Sequence, residues 1–510
     1  MSLSRRKFLS ALAAAPVLRS GLVAAFPRFD RSGDDARLAA DPLRPQCHLL
    51  PAKNWMNDPN GPIFWKGHYH MFYQYNPGAA VWGDMHWAHA VSPDMIHWRH
   101  LPVALAPTPG WADADGCFTG SAVEDRGTAT LVYTGVKTSP PETATLRDGA
   151  HSYREVQCLA TSADPQLRSW VKWKTPVLEP PRDPLLTGFR DPFLWRDREL
   201  WYLGVGSGLR KQGGRVLLYR SKDLRQWEYL HALASGRWTE RENINPVDSG
   251  EMWECPDFFP LGSEHVLLYA TAGKVAWEVG QLDAKALVFH PRRAGVLDHG
   301  AYYAQKTQLD SSGNRILWGW IPERRPEAEF SAAGWAGCMA LPRVLALDSQ
   351  YDLEMRVAPA AESLRAKEFP AITRETSSEA RAQILGSIEI ENVAGEIAWE
   401  VAAPFSLTIA DNSGPWWSLD VERSASSTTL RINQQRIELP LPAAGELGFH
   451  LVLDASVAEF FCNHRHALTA RVYRRPDGPL RLQPSGRDQS VLLGLRAWQL
   501  RPISGDRLTT

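Results

Sequence analysis

A turn that returns along the chain restricts its possible folds more than any other feature. Ser92-Pro93-Asp94 precedes Trp98, Ser162-Ala163-Asp164 precedes Trp170, and Ser221-Lys222-Asp223 precedes Trp227. The interval is roughly 60 to 70 residues, the signature of a repeated supersecondary unit. Between the turns lie short alternating runs such as His68-Tyr69-His70-Met71-Phe72-Tyr73, Thr130-Leu131-Val132-Tyr133 and Val216-Leu217-Leu218-Tyr219. They read as strands separated by Gly, Pro and Asp turns, with almost no helical period. A unit of a few strands cannot bury its own face, so several must pack around an axis as the blades of a β-propeller. Five such units fit between about Leu49 and Leu347. The expected fold class is therefore all-β: a five-bladed β-propeller over residues 44–350, followed by a second domain.

A chain of 510 residues has room for that second core. Residues 358–369 favour a short helix within a linker spanning 351–383. From 384 to 505 new strands appear without the Ser-x-Asp turn, at 405–409, 426–432, 449–453, 457–461 and 490–493. That pattern predicts a C-terminal β-sandwich, with a structural role against one propeller face. The first residues read as an address. Ser4-Arg5-Arg6-Lys7-Phe8-Leu9 resembles a twin-arginine signal, and the apolar run over 8–18 is too short to span a bilayer. Residues 1–25 are expected to be the signal and 26–43 a linker, with the mature protein periplasmic or secreted and free of membrane. Six Cys without paired spacing read as isolated buried thiols, neither a disulfide framework nor a zinc site.

With 56 Lys and Arg against 57 Asp and Glu, no basic stripe is available to release counterions from a nucleic acid, which excludes that partner. The 21 Trp fit either sugar stacking or large filler between sheets. The acids are more specific. Asn57-Asp58-Pro59 precedes a strand, Arg190-Asp191-Pro192 opens the third unit, and Glu254-Cys255-Pro256 opens the fourth. The first strand of each blade lines the channel, so three carboxylates at equivalent places in three blades would converge at one mouth. An Asp-Pro turn explains any one of them, but not three in phase. Crowded acids in a desolvated channel acquire separated pKa values, and glycoside cleavage needs one ionised and one protonated carboxyl. Arg190 is expected to keep the neighbouring Asp191 charged. The pairs His68/His70, His86/His89 and His97/His100 lack a matching Cys or acid cluster and read as packing residues, so no metal and no cofactor are expected.

Asn54-Trp55-Met56-Asn57-Asp58-Pro59-Asn60-Gly61, with Arg190-Asp191-Pro192 and Glu254-Cys255 in that order, resembles the invertase/levanase family of glycoside hydrolases (family 32). Phe72-Tyr73-Gln74-Tyr75-Asn76-Pro77, Trp82-Gly83-Asp84-Met85-His86-Trp87 and Ile316-Leu317-Trp318-Gly319-Trp320 match further stretches. Leu453-Asp454-Ala455-Ser456-Val457-Ala458-Glu459 and Thr469-Ala470-Arg471 resemble the family's sandwich. The resemblance implies retaining hydrolysis of β-fructofuranosidic bonds, with Asp58 as nucleophile, Glu254 as general acid/base and Asp191 as transition-state stabiliser. It assigns Asn57, Gln74, Trp82, Phe118, Thr119, Arg190, Tyr303 and Trp320 to substrate binding. Two positions depart from the pattern: Thr119 stands where Ser is commoner, its methyl expected to narrow the pocket, and Gly300-Ala301-Tyr302-Tyr303 lacks an Asp before the aromatic pair. Transfer of the fructosyl unit to another sugar and non-catalytic fructan binding are the alternatives. The choice among sucrose, inulin and levan is expected to rest with loops such as Pro140 to Tyr153 and Glu323 to Gly334, which no motif reads.

Overall fold

The computed structural model describes residues 33–402, 404–424, 427–439, 445–485 and 491–508. The Arg5-Arg6 signal lies outside them, as does the start of the expected linker; residues Gly33–Ala40 form a helix whose Leu38 and Ala39 enter the core. Five antiparallel sheets follow one another along the chain. Their innermost strands are Asn54–Trp65, Gly116–Asp125, Leu186–Asp197, Glu254–Leu261 and Tyr303–Leu309. The strand Trp335–Ala336, from after the fifth sheet's second strand, adds parallel to Asn54–Trp65 and ties the end of the ring to its start. This is a β-propeller.

The recurrent turn does the same work in each blade. In the first, the Ser92 hydroxyl accepts from the Asp94 N–H, and the Asp94 carboxylate accepts from the N–H groups of Ile96 and His97. Ser162-Asp164 and Ser221-Asp223 repeat the arrangement, with the Trp170 and Trp227 indoles donating to carbonyls within the turn. Such side-chain bonds mimic a backbone turn and stop the third strand of the blade. The fourth and fifth blades keep only the acid: Asp283 accepts from Lys285 and Ala286, and Asp348 from Gln350 and Asp352. Losing Ser and Trp hid these two turns from the repeat pattern. Gly61, at the end of the Asn54–Gly61 motif, has φ +42°, and a Cβ there would lie 2.8 Å from the Ala122 nitrogen of the second blade. Only glycine lets the two inner strands approach so closely.

The C-terminal part is a β-sandwich of two six-stranded sheets. Its core holds Trp399, Trp417, Phe449 and Phe460. The expected short helix is a 3-10 turn, Pro359–Leu364, after which Arg365–Glu368 pairs with the last strand, Leu492–Leu500. Residues 353–357 complete the fifth blade, so the linker is shorter than 351–383. A helix the sequence pattern did not suggest, Ser378–Ser387, starts where Ser377 caps the Ala380 N–H. Most of the 21 Trp are buried as filler between sheets; Trp82 and Trp320 are the two on the cavity described below.

Val457 and Phe461 of the sandwich pack into a core shared with the propeller's Trp318 and Trp335. Beside them runs a buried ionic network. Arg343 donates to Asp298 (3.0 Å) and Glu459 (2.7 Å), while both ring nitrogens of His48 reach carboxylates, Asp454 at 2.7 Å and Glu459 at 3.0 Å. Burial opposes a charge on His48, but the two carboxylates win and raise its pKa to about 9; burial likewise opposes Glu459, whose cationic partners lower it to about 2. The His48 contribution to stability is fully present below pH 6.5 and is lost as pH rises through about 9. The Glu459 contribution is present above pH 4.5 and is lost as pH falls through about 2. Urea midpoints are therefore expected to decline on the alkaline side from pH 6.5 toward 9, and His48→Gln is expected to flatten that decline. An unchanged alkaline slope in the variant would refute the assignment.

Candidate active site

The five inner strands are interrupted at one level. In the third blade Arg190 pairs with Gly206 and Phe193 with Gly204, so Asp191-Pro192 opposes the single residue Val205. Cys255-Pro256 opposes Tyr269, Ala304-Gln305 opposes Gly319, and Asn57-Asp58 opposes Gln74 in the same way; Thr119 is one extra residue in the second blade. Asp191, Cys255 and Ala304 take up the bulge with φ of 64°, 47° and 54°. A bulge re-aims side chains that a regular strand would send to opposite faces. Consequently the neighbours Arg190 and Asp191 both line one cavity, as do Asn57 and Asp58.

The register corrects the expected equivalence of the three acids. Glu254 is the residue before its bulge, Asp191 the first residue within, and Asp58 the second. They converge, but from three successive positions, and each has different partners. Level with Glu254 in the adjoining blades are Arg190 and Tyr303. Arg190 Nη2 donates to Glu254 Oε1 at 2.8 Å, and the Tyr303 hydroxyl donates to Oε2 at 2.6 Å. Asp191 lies level with Cys255, whose N–H donates to Asp191 Oδ2 at 2.9 Å. Asp58 Oδ2 accepts from the Thr119 hydroxyl at 2.6 Å, and Oδ1 from the Asn57 amide at 3.1 Å. Gln74 ties these together, accepting from Asn57 and donating to Thr119.

The cavity has a volume of about 220 Å³. Of the eleven residues singled out in the sequence, ten line it: Asn57, Asp58, Gln74, Trp82, Phe118, Arg190, Asp191, Glu254, Tyr303 and Trp320. Thr119 does not; it is wholly buried behind Asp58. Its methyl therefore narrows nothing, and its hydroxyl supports the carboxylate instead. Trp82, 38% exposed and edge-on to Phe118, forms the rim. Connecting segments supply the other walls: Leu146 and Asp148 belong to the 140–153 stretch expected to contact substrate, whereas sequence reasoning missed Asn245, Pro246 and Val247. Loops carry no periodicity, and no local signal marked these residues. It also missed Glu155, whose only trace is its place with Gln157 on one face of an alternating strand.

The profile of the glycosyl hydrolases family 32 N-terminal domain matches residues 48–357, and that of the family 32 C-terminal domain matches residues 374–499. The chain belongs to glycosyl hydrolase family 32. A sucrose-6-phosphate hydrolase of Escherichia coli is 34% identical over 85% of this chain and 90% of its own length. An acid beta-fructofuranosidase of Vicia faba is 31% identical over 90% of this chain and 81% of its own. Among solved structures, the family 32 beta-fructofuranosidase of Bombyx mori superimposes with a TM-score of 0.74 at 29% identity, covering 92% of this chain and 96% of that one. The protein is a glycoside hydrolase, and its fold is the propeller and sandwich of the family.

Electrostatics inside this family 32 cavity depart from one expectation. Arg190 was expected to hold Asp191 ionised, but its fork points at Glu254 and at Glu155, and its Nε stays 4.0 Å from Asp191. Burial is the main influence on Asp191, aided by Glu254 and Asp58 and only partly offset by Arg190, and pushes its pKa up to about 7. Burial likewise raises Asp58, against the hydrogen bond from Thr119. Near pH 7 Asp191 thus keeps a share of its proton, since like charges in a desolvated site do not all ionise. A carboxyl raised from 3.8 to about 7 contributes stability that is complete below pH 3.8 and lost as pH rises through about 7. Asp191→Asn removes that alkaline loss. Its melting temperature is expected to exceed that of the parent at pH 8, by the equivalent of about 1–3 kcal/mol, and to converge with it in acid. A variant less stable than the parent at pH 8 would contradict this electrostatic account.

Proposed function

We propose that the protein hydrolyses β-fructofuranosidic bonds with retention of configuration, through a covalent fructosyl intermediate on Asp58. The observation that carries this reading is the separation of tasks among the three carboxyls. Asp58 is surrounded by donors that favour its ionised form, from Asn57, Thr119 and Cys255. Glu254 is fixed between Arg190 and Tyr303. In the first step an Asp58 oxygen bonds to the anomeric C2 of the fructosyl unit. The bond from C2 to the leaving oxygen breaks, its electron pair stays with that oxygen, and Glu254 supplies the proton. In the second step Glu254 takes a proton from water as the water oxygen bonds to C2 and Asp58 departs. Asp191 accepts hydrogen bonds from fructose hydroxyls that strengthen as positive charge develops on the ring. Trp82 and Phe118 give the sugar an apolar wall, and Asn57, Gln74, Arg190, Tyr303 and Trp320 surround it.

Sucrose and fructans such as inulin and levan are the proposed substrates; a similar family 32 beta-fructofuranosidase of Bombyx mori is solved with sucrose, and a fructan 1-exohydrolase of Cichorium intybus with 1-kestose. Proton NMR during the first minutes of sucrose cleavage is expected to show β-fructofuranose before mutarotation. Initial release of the α-anomer would overturn retention, and growth of oligosaccharides at high sucrose in place of free fructose would replace hydrolysis by transfer. Export by the twin-arginine route is proposed from Arg5-Arg6 together with six buried free Cys, which need no oxidising compartment for folding. Lys at both Arg positions is expected to leave activity in the cytoplasmic fraction; unchanged export would remove the proposal.

A further inference from the structure

One strand of the second blade, Ser152–Ser162, lies behind the Arg190-Asp191 pair and contributes no residue to the lining of the cavity. Two of its side chains clasp that pair. Glu155 is completely buried, and its carboxylate accepts from the Phe189 N–H at 2.7 Å, the Thr145 hydroxyl at 2.8 Å and Arg190 Nη1 at 2.8 Å. Gln157 donates to the Phe189 carbonyl at 2.9 Å and accepts from Thr134, whose oxygen in turn accepts from the Asp191 N–H at 3.0 Å. The remaining donors of Arg190, Nε and Nη2, both go to Glu254 Oε1 at 3.1 and 2.8 Å. One guanidinium therefore spans two carboxylates, one deep and one facing the cavity. A planar fork with fixed donor directions transmits orientation, because anchoring Nη1 determines where Nε and Nη2 point.

We propose, resting on the assignment of Glu254 as acid/base, that Glu155 is a positioning residue for the proton-transfer step. By holding Nη1, it prevents the Arg190 fork from turning toward Asp191, which waits 4.0 Å away. Arg190 then keeps Glu254 directed at the leaving oxygen. Glu155 acts only through Arg190, since its own atoms face neither substrate nor solvent. Thr145 fixes the second oxygen of Glu155 and belongs to the segment whose Leu146 and Asp148 form a cavity wall. The wall and the acid/base thereby share one anchor.

The test compares Glu155→Gln with the parent on sucrose and on β-fructofuranosyl fluoride, at substrate concentrations that separate kcat from KM. Fluoride leaves without a proton, so bond cleavage in that substrate does not depend on the acid. The expected result is a fall in kcat for sucrose on the order of 10²-fold, the cost of misplacing a catalytic group by about an ångström. The rate of fluoride release in the first turnover is expected to stay within about threefold, and KM for sucrose to change little. Thr145→Val, which removes one of three donors to the carboxylate, is expected to show the same split at smaller amplitude and serves if the first variant does not fold. Equal losses on both substrates, or no loss on either, would mean that Glu155 only supports the fold, and would overturn the proposal. Failure of the parent enzyme to cleave either substrate would instead sink the assignment of function, before any variant is compared.

Discussion

Asp58→Asn is expected to lower kcat on sucrose by at least about 10⁴-fold, the scale of losing a covalent nucleophile. The substitution is nearly isosteric, and the site can absorb it. The Thr119 hydroxyl can rotate, the Asn57 amide can donate to the new carbonyl, and Cys255 Sγ lies 3.5 Å away as a weak partner. Burial raises the pKa of Asp58, so an ionised carboxylate here destabilises the folded protein. The variant should therefore be at least as thermally stable as the parent at pH 7 while nearly inert. That combination separates loss of chemistry from loss of structure. Mass spectrometry after rapid quench is expected to find a fructosyl adduct on the parent and none on the variant. Activity within about a hundredfold of the parent would remove Asp58 from the role of nucleophile.

Glu254→Gln is expected to reduce sucrose turnover by about 10²–10⁴-fold, the usual contribution of a positioned general acid. Its effect should depend on the leaving group. The glucosyl oxygen of sucrose needs a proton as the bond breaks, whereas fluoride does not. On β-fructofuranosyl fluoride the first step should survive and the second should stall, because no base then activates water. The intermediate accumulates, and azide, a nucleophile that carries no proton to remove, is expected to restore turnover as the β-configured fructosyl azide. Arg190 and Tyr303 would meet a neutral amide in place of the carboxylate, so a small loss of stability accompanies the change. Equal damage to both substrates, with no rescue by azide, would show that Glu254 holds the site together without transferring protons.

Both experiments bear on residues that stood out in the sequence for different reasons. Asp58 belongs to an eight-residue motif whose Gly61 is required by the close approach of two blades. Glu254 stood out because it opens a blade as Asp191 does, yet the apparent equivalence was inexact. The bulges set Glu254, Asp191 and Asp58 at three successive positions. A bulge is a mismatch between two strands, and no pattern within one strand reports how many residues its partner places opposite. The same reasoning covers the charge on Asp191. Adjacency of Arg190 in the chain suggested an ion pair, but the guanidinium reaches over to Glu254 and Glu155, carboxylates of the neighbouring blades.

The sequence by itself determined the all-β class, the two-part architecture, the family and ten of the residues that line the cavity. Class and architecture depend on local period and on turn chemistry that repeats in phase; the family and most of the cavity residues depend on short motifs and on what their resemblance implies. The tertiary structure alone decided the partners of each acid, the place of Thr119 behind the carboxylate, which loop residues form the walls and the buried clasp at Glu155. Those features depend on which strands lie side by side across blade boundaries and on how much water their packing excludes. Neither quantity is encoded within any one segment; both arise when distant segments close the ring.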